Sequence, residues 1–477
     1  MTFSDKGLQK NTMFYSRTDI YNYIARLCGM AMYLCDRDVI AKYNCRTDDE
    51  TENSKRIILG YVPELFDEER KPLQLTDEII AGKLMPHLWK AEEHFMAFHN
   101  VFGLISMIKI LDFCMHDLLC EEQKNFIEKE QGLMLNTNRE ETGVGLLPRT
   151  SCVWERTRRM SHRYNRLDNF LYNFLLINNK MAGDLKEKHI YFAPDFFGDF
   201  EKRKRIKIAA TPLTIQSTGR PVEYVEDSVR YFKIDYDREK TESTNRLIWE
   251  KIIQAGADHS DIIVFPELMG NPATDEYIGD KIRKYGHPEN LPALIILPSY
   301  YKEKNNIVTI MDRYGKIIAK QRKHNPYILR LNDKNCLEYI NTSKEINIFH
   351  YEGIGRFAVL ICKDFLDAVY LERLLRCFKL NFLIVPSYST GSYDFMQSQE
   401  LCANDDCNVV WLNTCAAYRA DKALNFENIG YVRKRIAKYE DESLKLYKMK
   451  SCKGLFEGKC NMDCMFHTTI GEIKNGI

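Results

Sequence analysis

From about Ser16 to Lys180 the apolar residues recur at helical spacing, as in Ile20, Tyr23, Ile24 and Leu27, followed by Met30, Met32 and Leu34. Glu92 to Lys129 reads as a second long helical region, with Phe95, Phe98, Val101, Leu104, Ile105, Ile108 and Leu111 forming a broad apolar stripe. A third helical stretch is expected at about Leu167 to Leu176, and charged or turn-rich segments at Thr47 to Arg56 and Asn136 to Thr142. The run Glu201-Lys202-Arg203-Lys204-Arg205 then introduces a different period. Short apolar runs of strand type follow at Ile206–Ala210, Ile262–Phe265, Ala293–Pro298, Ile307–Met311, Phe357–Ile361, Phe382–Val385 and Val409–Leu412. Helical patterns lie between some of them, at Asn245–Ala255 and Ala368–Phe378. Buried strands alternating with helices predict an α/β fold whose sheets are covered by helices. The expected division is a mainly α-helical domain over 1–202 and an α/β domain over 203–477.

Composition narrows the class. The chain has 477 residues, of which 45% are hydrophobic and 28% charged, as in folded proteins of two or more domains. Lys and Arg number 68 against 67 Asp and Glu, a formal net charge of +1 that excludes a whole-chain electrostatic case for binding nucleic acid or membrane. No window approaches the ~18 to 20 uninterrupted apolar residues of a spanning helix. The start, Met-Thr-Phe-Ser-Asp-Lys, lacks the apolar stretch of a secretory signal. A cytoplasmic protein is expected.

Three strand ends in the second half finish in a reactive side chain. Asp261-Ile262-Ile263-Val264-Phe265-Pro266-Glu267 delivers a carboxylate where an apolar strand leaves its sheet, the place where α/β proteins assemble sites and a general base is well placed. Asn306 to His324 holds two strands around an Asp312-Arg313-Tyr314-Gly315 hairpin turn, and the second strand ends in Lys323, whose ammonium could stabilise an oxyanion if it faces a pocket. Gly355-Arg356-Phe357-Ala358-Val359-Leu360-Ile361-Cys362 is a buried strand running into a cysteine, with a helix expected a few residues later. That strand-to-helix turn has the form of a nucleophile elbow, where a nearby cation or helix N-terminus can activate a thiol. Taken singly, each residue has a plainer reading: a cap for Glu267, a solvated charge for Lys323, a core thiol for Cys362.

The order and spacing of Glu267, Lys323 and Cys362 together resemble the nitrilase superfamily, the carbon–nitrogen hydrolases. Ile206-Lys207-Ile208-Ala209-Ala210 is similar to that family's opening strand, Ala255-Gly256-Ala257-Asp258 to its approach to the glutamate, and Phe382-Leu383-Ile384-Val385-Pro386-Ser387 to the strand after the cysteine. The resemblance covers about residues 203 to 420. It implies a nitrilase-like α-β-β-α sandwich, a homo-oligomer, no cofactor and no metal. It also implies hydrolysis of a non-peptide carbon–nitrogen bond, an amide in preference to a nitrile, through a cysteine thioester and a Glu-Lys-Cys triad. Glu338, in Cys336-Leu337-Glu338-Tyr339, is the candidate for the second glutamate that positions lysine and substrate in that family, with Glu345 and Glu352 as competitors. The chain departs from the family pattern at Gln321 and Lys363, where aromatics are common, and at Phe365-Leu366-Asp367. These changes bear on substrate more than on catalysis, and Lys363 is a second cation that could favour the thiolate.

Two further clusters carry weaker signals. Cys452-x7-Cys460-x3-Cys464-x2-His467 contains ligand types suited to zinc at unfamiliar spacing, and buried thiols are the favoured reading, as for most of the 15 scattered cysteines. Arg156, Arg158, Arg159, Arg163 and Arg166 surround Tyr164 and could follow a phosphate backbone; a solvated helix face is favoured. The alternative function is accordingly a nitrilase-like effector or scaffold module whose helical domain binds a protein or nucleic-acid partner.

Overall fold

The structure is a computed structural model and describes residues 14–155, 167–436, 445–460 and 463–472. The described residues fall into two compact units, one of residues 14–149 and 167–181, the other of residues 150–155 and those from 182 onward. The division therefore differs from the one expected near residue 202. Lys186–Tyr191 is a strand of the second unit, paired in parallel with Glu345–Tyr351, and so lies beyond the reach of a helical N-terminal domain.

The first unit is mainly helical. Arg17–Leu34 begins at Ser16, whose hydroxyl and the carboxylate of Asp19 cap the free N–H groups reciprocally. The long region around Glu92 to Lys129 divides into Met85–Ala97, Val101–Cys114 and His116–Glu128. Two expectations change. Asp48–Tyr61 is a helix rather than a charged loop, because Thr47 caps it and Asp48, Asp49 and Glu50 oppose the positive end of its dipole. Phe174–Asn178 is a strand antiparallel to Val144–Pro148 rather than part of a helix. The buried carboxylate of Asp112 accepts from the N–H groups of Tyr172, Asn173 and Phe174, holding that entry to the strand extended.

The second unit is an α-β-β-α sandwich. One sheet runs in the order Ile317–Arg322, Asn305–Asp312, Leu294–Ile296, Ile262–Val264, Arg205–Ala210, Phe466–Gly471, with Tyr300–Lys302 on Asn305–Asp312. Its centre is parallel, and the helices Arg238–Ala257 and Thr274–Tyr285 pack Ile248, Ile252, Ala255, Ile278 and Ile282 against Ala209, Ile263 and Ile295. The other sheet runs Leu446–Lys450, Asn428–Arg433, Asn408–Leu412, Phe382–Pro386, Gly355–Val359, Glu345–Tyr351, Lys186–Tyr191, and it carries the helices Ala368–Arg376 and Tyr393–Asn404. Gln321 at the edge of the first sheet ties the two together: its carbonyl accepts from the backbone and side-chain N–H groups of Asn347, and its amide donates to Glu345 O. A third, four-stranded sheet of Ile328–Leu331, Lys334–Glu338, Val229–Tyr236 and Gly219–Glu226 has no counterpart among the expected strands.

Residues 150–155 are fastened to the sandwich by polar bonds. The fully buried Arg356 guanidinium donates to Thr150 O at 2.7 Å, Lys379 O at 2.8 Å and Asn381 Oδ1 at 2.6 Å. The buried Trp154 indole donates to Asn381 O at 3.2 Å. Arg356→Met would fill similar space but leave the buried Thr150 O without its donor, deprive Lys379 O of its own and take one of two donors from Asn381 Oδ1, at a cost of about 3 kcal/mol. Differential scanning calorimetry should show the unfolding midpoint lowered by at least about 5 °C; an unshifted midpoint would mean that those carbonyls find other donors.

Candidate functional site

Both large sheets have parallel centres, and their strands' carboxyl ends supply the site. Ile262–Val264 continues through Pro266 to Glu267, and Gly355–Val359 continues to Cys362. Cys362 has φ of 48°, a left-handed conformation that is costly for a residue with a Cβ. The strand thus turns sharply into the 3-10 helix Cys362–Leu366 and the helix Ala368–Arg376, as the elbow reading requires. Ile317–Arg322 ends one residue before Lys323, and the hairpin turn before it closes with Gly315 N bonded to Asp312 O and Gly315 at φ 79°.

Glu267, Lys323, Glu338 and Cys362 converge. The Lys323 ammonium lies 2.8 Å from Glu267 Oε1 and 2.7 Å from Glu338 Oε2, with all three side chains about 2% exposed. The Cys362 thiol lines one cavity with Glu267, Lys323, Glu338 and Tyr388. Tyr388 N also donates to Glu267 Oε2 at 2.8 Å. Glu338 is delivered by the third sheet, where Lys334–Glu338 runs parallel to Val229–Tyr236 and Glu338 pairs with Phe232. Its competitors lie elsewhere: Glu345 binds Arg322 and Lys188, and Glu352 accepts from Ser151 N.

One central residue escaped the sequence reading except as the start of a strand. Asn306 donates through Nδ2 to Glu267 Oε1 at 2.8 Å and to Glu338 Oε1 at 2.9 Å, while its own Oδ1 accepts from Ser299 Oγ at 2.7 Å. An amide in that place separates two carboxylates that would otherwise repel. The signal available was an Asn near the start of a strand whose middle is apolar, which does not announce its partners. Lys363 does not approach the thiol as a second cation; its ammonium donates to Pro326 O at 2.9 Å.

The charges set the resting protonation. Burial pushes the Glu267 carboxyl above its ordinary pKa, the neighbouring Glu338 adds to this, and Lys323 opposes it. Burial works to lower the Lys323 pKa, but Glu267, Glu338 and Cys362 outweigh it and hold the ammonium charged. Burial and Glu267 raise the Cys362 pKa, so the resting group is a thiol beside a carboxylate of enhanced basicity. Such a pair suits proton transfer coupled to nucleophilic attack rather than a standing thiolate.

Among the described residues no group of three or more His, Cys, Asp or Glu could hold a metal ion. His467 is turned to Asp258 Oδ2 at 3.1 Å and Ser260 Oγ at 3.4 Å. The arginines Arg156, Arg158, Arg159, Arg163 and Arg166 fall outside the described residues. No helix of the described residues is long and apolar enough to cross a membrane.

No family model matches the chain, and no curated protein matches it. Among solved structures it is similar to an amidase from Nesterenkonia sp., at 14% identity over 48% of this chain and 82% of that one, with a TM-score of 0.34. A cysteine-to-alanine mutant of the Nesterenkonia AN1 amidase, described as from the nitrilase superfamily, is similar at 14% identity over 45% and 78%, with a TM-score of 0.33. Another mutant of that amidase, showing covalent addition of the acetamide moiety of fluoroacetamide at the active site cysteine, matches at 14% identity over 45% and 77%, with a TM-score of 0.32.

Asp364 locks the cysteine turn to the lysine strand. Its buried carboxylate accepts from His324 N, Asn325 N and Ile361 N, and burial raises its pKa to about 7. The folded protein therefore keeps a proton that the unfolded chain loses near pH ~4. This contribution to stability is complete below about pH 4 and is lost as pH rises through about 7. In Asp364→Asn the decline in melting temperature between pH 5 and pH 8 should be shallower than in the wild type. Parallel curves for the two proteins would exclude Asp364 as the titrating group.

Proposed function

We propose that the chain is a hydrolase of non-peptide carbon–nitrogen bonds, acting on amides through a thioester at Cys362. The observation that carries the reading is the convergence of one thiol, one raised carboxyl and one doubly held ammonium on a shared cavity of about 270 Å³. Glu267 takes the thiol proton as sulfur attacks the carbonyl carbon. Lys323 faces the developing oxyanion, whose stabilisation by a fixed donor is worth about 3 to 4 kcal/mol in such sites. The departing nitrogen receives the proton from Glu267, and water activated by the same carboxylate then releases the acid. Glu338 and Asn306 hold the ammonium and the base in place and touch no reacting atom in this scheme.

Incubation with simple aliphatic and aryl amides should release ammonia or amine and leave a transient acyl mass on the chain, mapped to Cys362 by denaturing mass spectrometry. Cys362→Ser should lose turnover altogether, because a serine alkoxide is far harder to form beside Glu267 than a thiolate. Equal turnover by the serine variant would end the covalent scheme.

Asn306→Ala should lower kcat at least about tenfold with little change in KM, because the base and the ammonium lose their shared positioning donor while substrate contacts persist. A rise in KM at unchanged kcat would place Asn306 against the substrate instead.

A further inference from the structure

Cys362 stands at the junction of two cavities. The smaller, about 270 Å³, is lined by Glu267, Lys323 and Glu338 and by Phe232, Ile234 and Leu329 of the third sheet. The larger, about 490 Å³, is lined by Ile328, Leu366 and Phe395, together with Asp367 and Ser389. Cys362, Tyr327 and Tyr388 line both, whereas Glu267 and Lys323 line only the smaller.

That partition assigns directions around the reacting carbon, on the hydrolase reading proposed above. In the tetrahedral adduct the carbon carries sulfur, oxygen, nitrogen and the acyl chain. Its oxygen must reach Lys323 and its nitrogen must reach Glu267, so both point into the smaller cavity. The acyl chain is left with the side that neither group lines, which opens into the larger cavity. A primary amide would leave the smaller cavity's apolar wall of Phe232, Ile234 and Leu329 uncovered.

We propose that the substrate is an N-substituted amide with two apolar arms, its acyl arm in the larger cavity beside Leu366 and Phe395 and its amine arm beneath the third sheet. In the first half-reaction the S–C bond forms as the carbonyl π pair moves to oxygen and the thiol proton moves to Glu267. The oxygen pair then returns, the C–N bond breaks with its electrons on nitrogen, and Glu267 passes its proton to the leaving amine. Water next adds to the thioester and gives a proton to Glu267; the C–S bond breaks with its electrons on sulfur, Glu267 passes the proton to that sulfur, and a carboxylic acid leaves.

The test compares acetamide, octanamide, N-benzylacetamide and N-benzyloctanamide on the full chain. Each arm should raise kcat/KM at least about tenfold, in the range that apolar pockets discriminate, and N-benzyloctanamide should be best. Leu366→Trp should lower the ratio of octanamide to acetamide about tenfold, and Ile234→Trp the ratio of N-benzylacetamide to acetamide by as much. Should either tryptophan variant fail to fold, Leu366→Phe and Ile234→Phe read the same ratios. Exchange of the two effects, or equal turnover of octanamide and N-benzyloctanamide, overturns the two-arm assignment. Acylation by p-nitrophenyl acetate separates this from failure of the underlying reading: an adduct on Cys362 with the wrong ratios sinks the arms alone, whereas no adduct on Cys362 and no amide turnover sink both.

Discussion

An ammonium buried between two carboxylates is the constraint around which the second unit is organised. Lys323 could not keep its charge at 2% exposure without Glu267 and Glu338, and neither carboxylate could be packed so deeply without the ammonium. The cluster draws on three separate pieces of chain, each brought in by a different strand arrangement. Asn306 closes it by donating to both acids at once: Glu267 Oε1 accepts from the lysine and the amide together, whereas Glu338 turns one oxygen to each. A group this expensive to bury contributes little to stability by itself. What it offers is fixed direction: donors and acceptors already aimed before any ligand arrives.

The scaffold transmits that order to the thiol. Asp364 sits two residues after Cys362 and accepts from the two backbone N–H groups that follow Lys323. Thiol and ammonium are thereby held in register although they come from different sheets. Tyr388, after a third strand, gives its N–H to Glu267 beside the thiol. The left-handed backbone at Cys362 is sustained by these neighbours, since nothing in the residue itself favours it.

The parts that were legible in the sequence are those written in local pattern. Glu267, Lys323 and Cys362 each close an apolar run, and the 3-10 turn and helix after Cys362 follow from Asp364 and Asp367. The third sheet was not legible because its turns use unorthodox residues. Asp227-Ser228 and Asn332-Asp333 both occupy consecutive positive-φ positions without a glycine, and so does Glu303-Lys304 in the first sheet. Two-residue hairpins of that kind are normally announced by Asn-Gly or Asp-Gly. Asn306 was hidden for another reason: its partners lie 39 and 32 residues away, a relation that no local window contains. Helix and strand were confused at Phe174 because the four-residue apolar run Phe174 to Ile177 fits either period, and the deciding contacts came from Asp112.

The attachment of residues 150–155 bears on how the protein can be divided. The chain joins the sandwich at Thr150, where Arg356 and Trp154 secure it, contributes later residues to the helical unit, and rejoins the sandwich at Ala182. One scissile point therefore cannot release either half intact. A truncation beginning at residue 182 would strip Arg356 of an acceptor and leave the space filled by the Trp154 indole empty. A deletion meant to remove the helical unit would accordingly have to spare residues 150–155 as well as the chain from 182 onward.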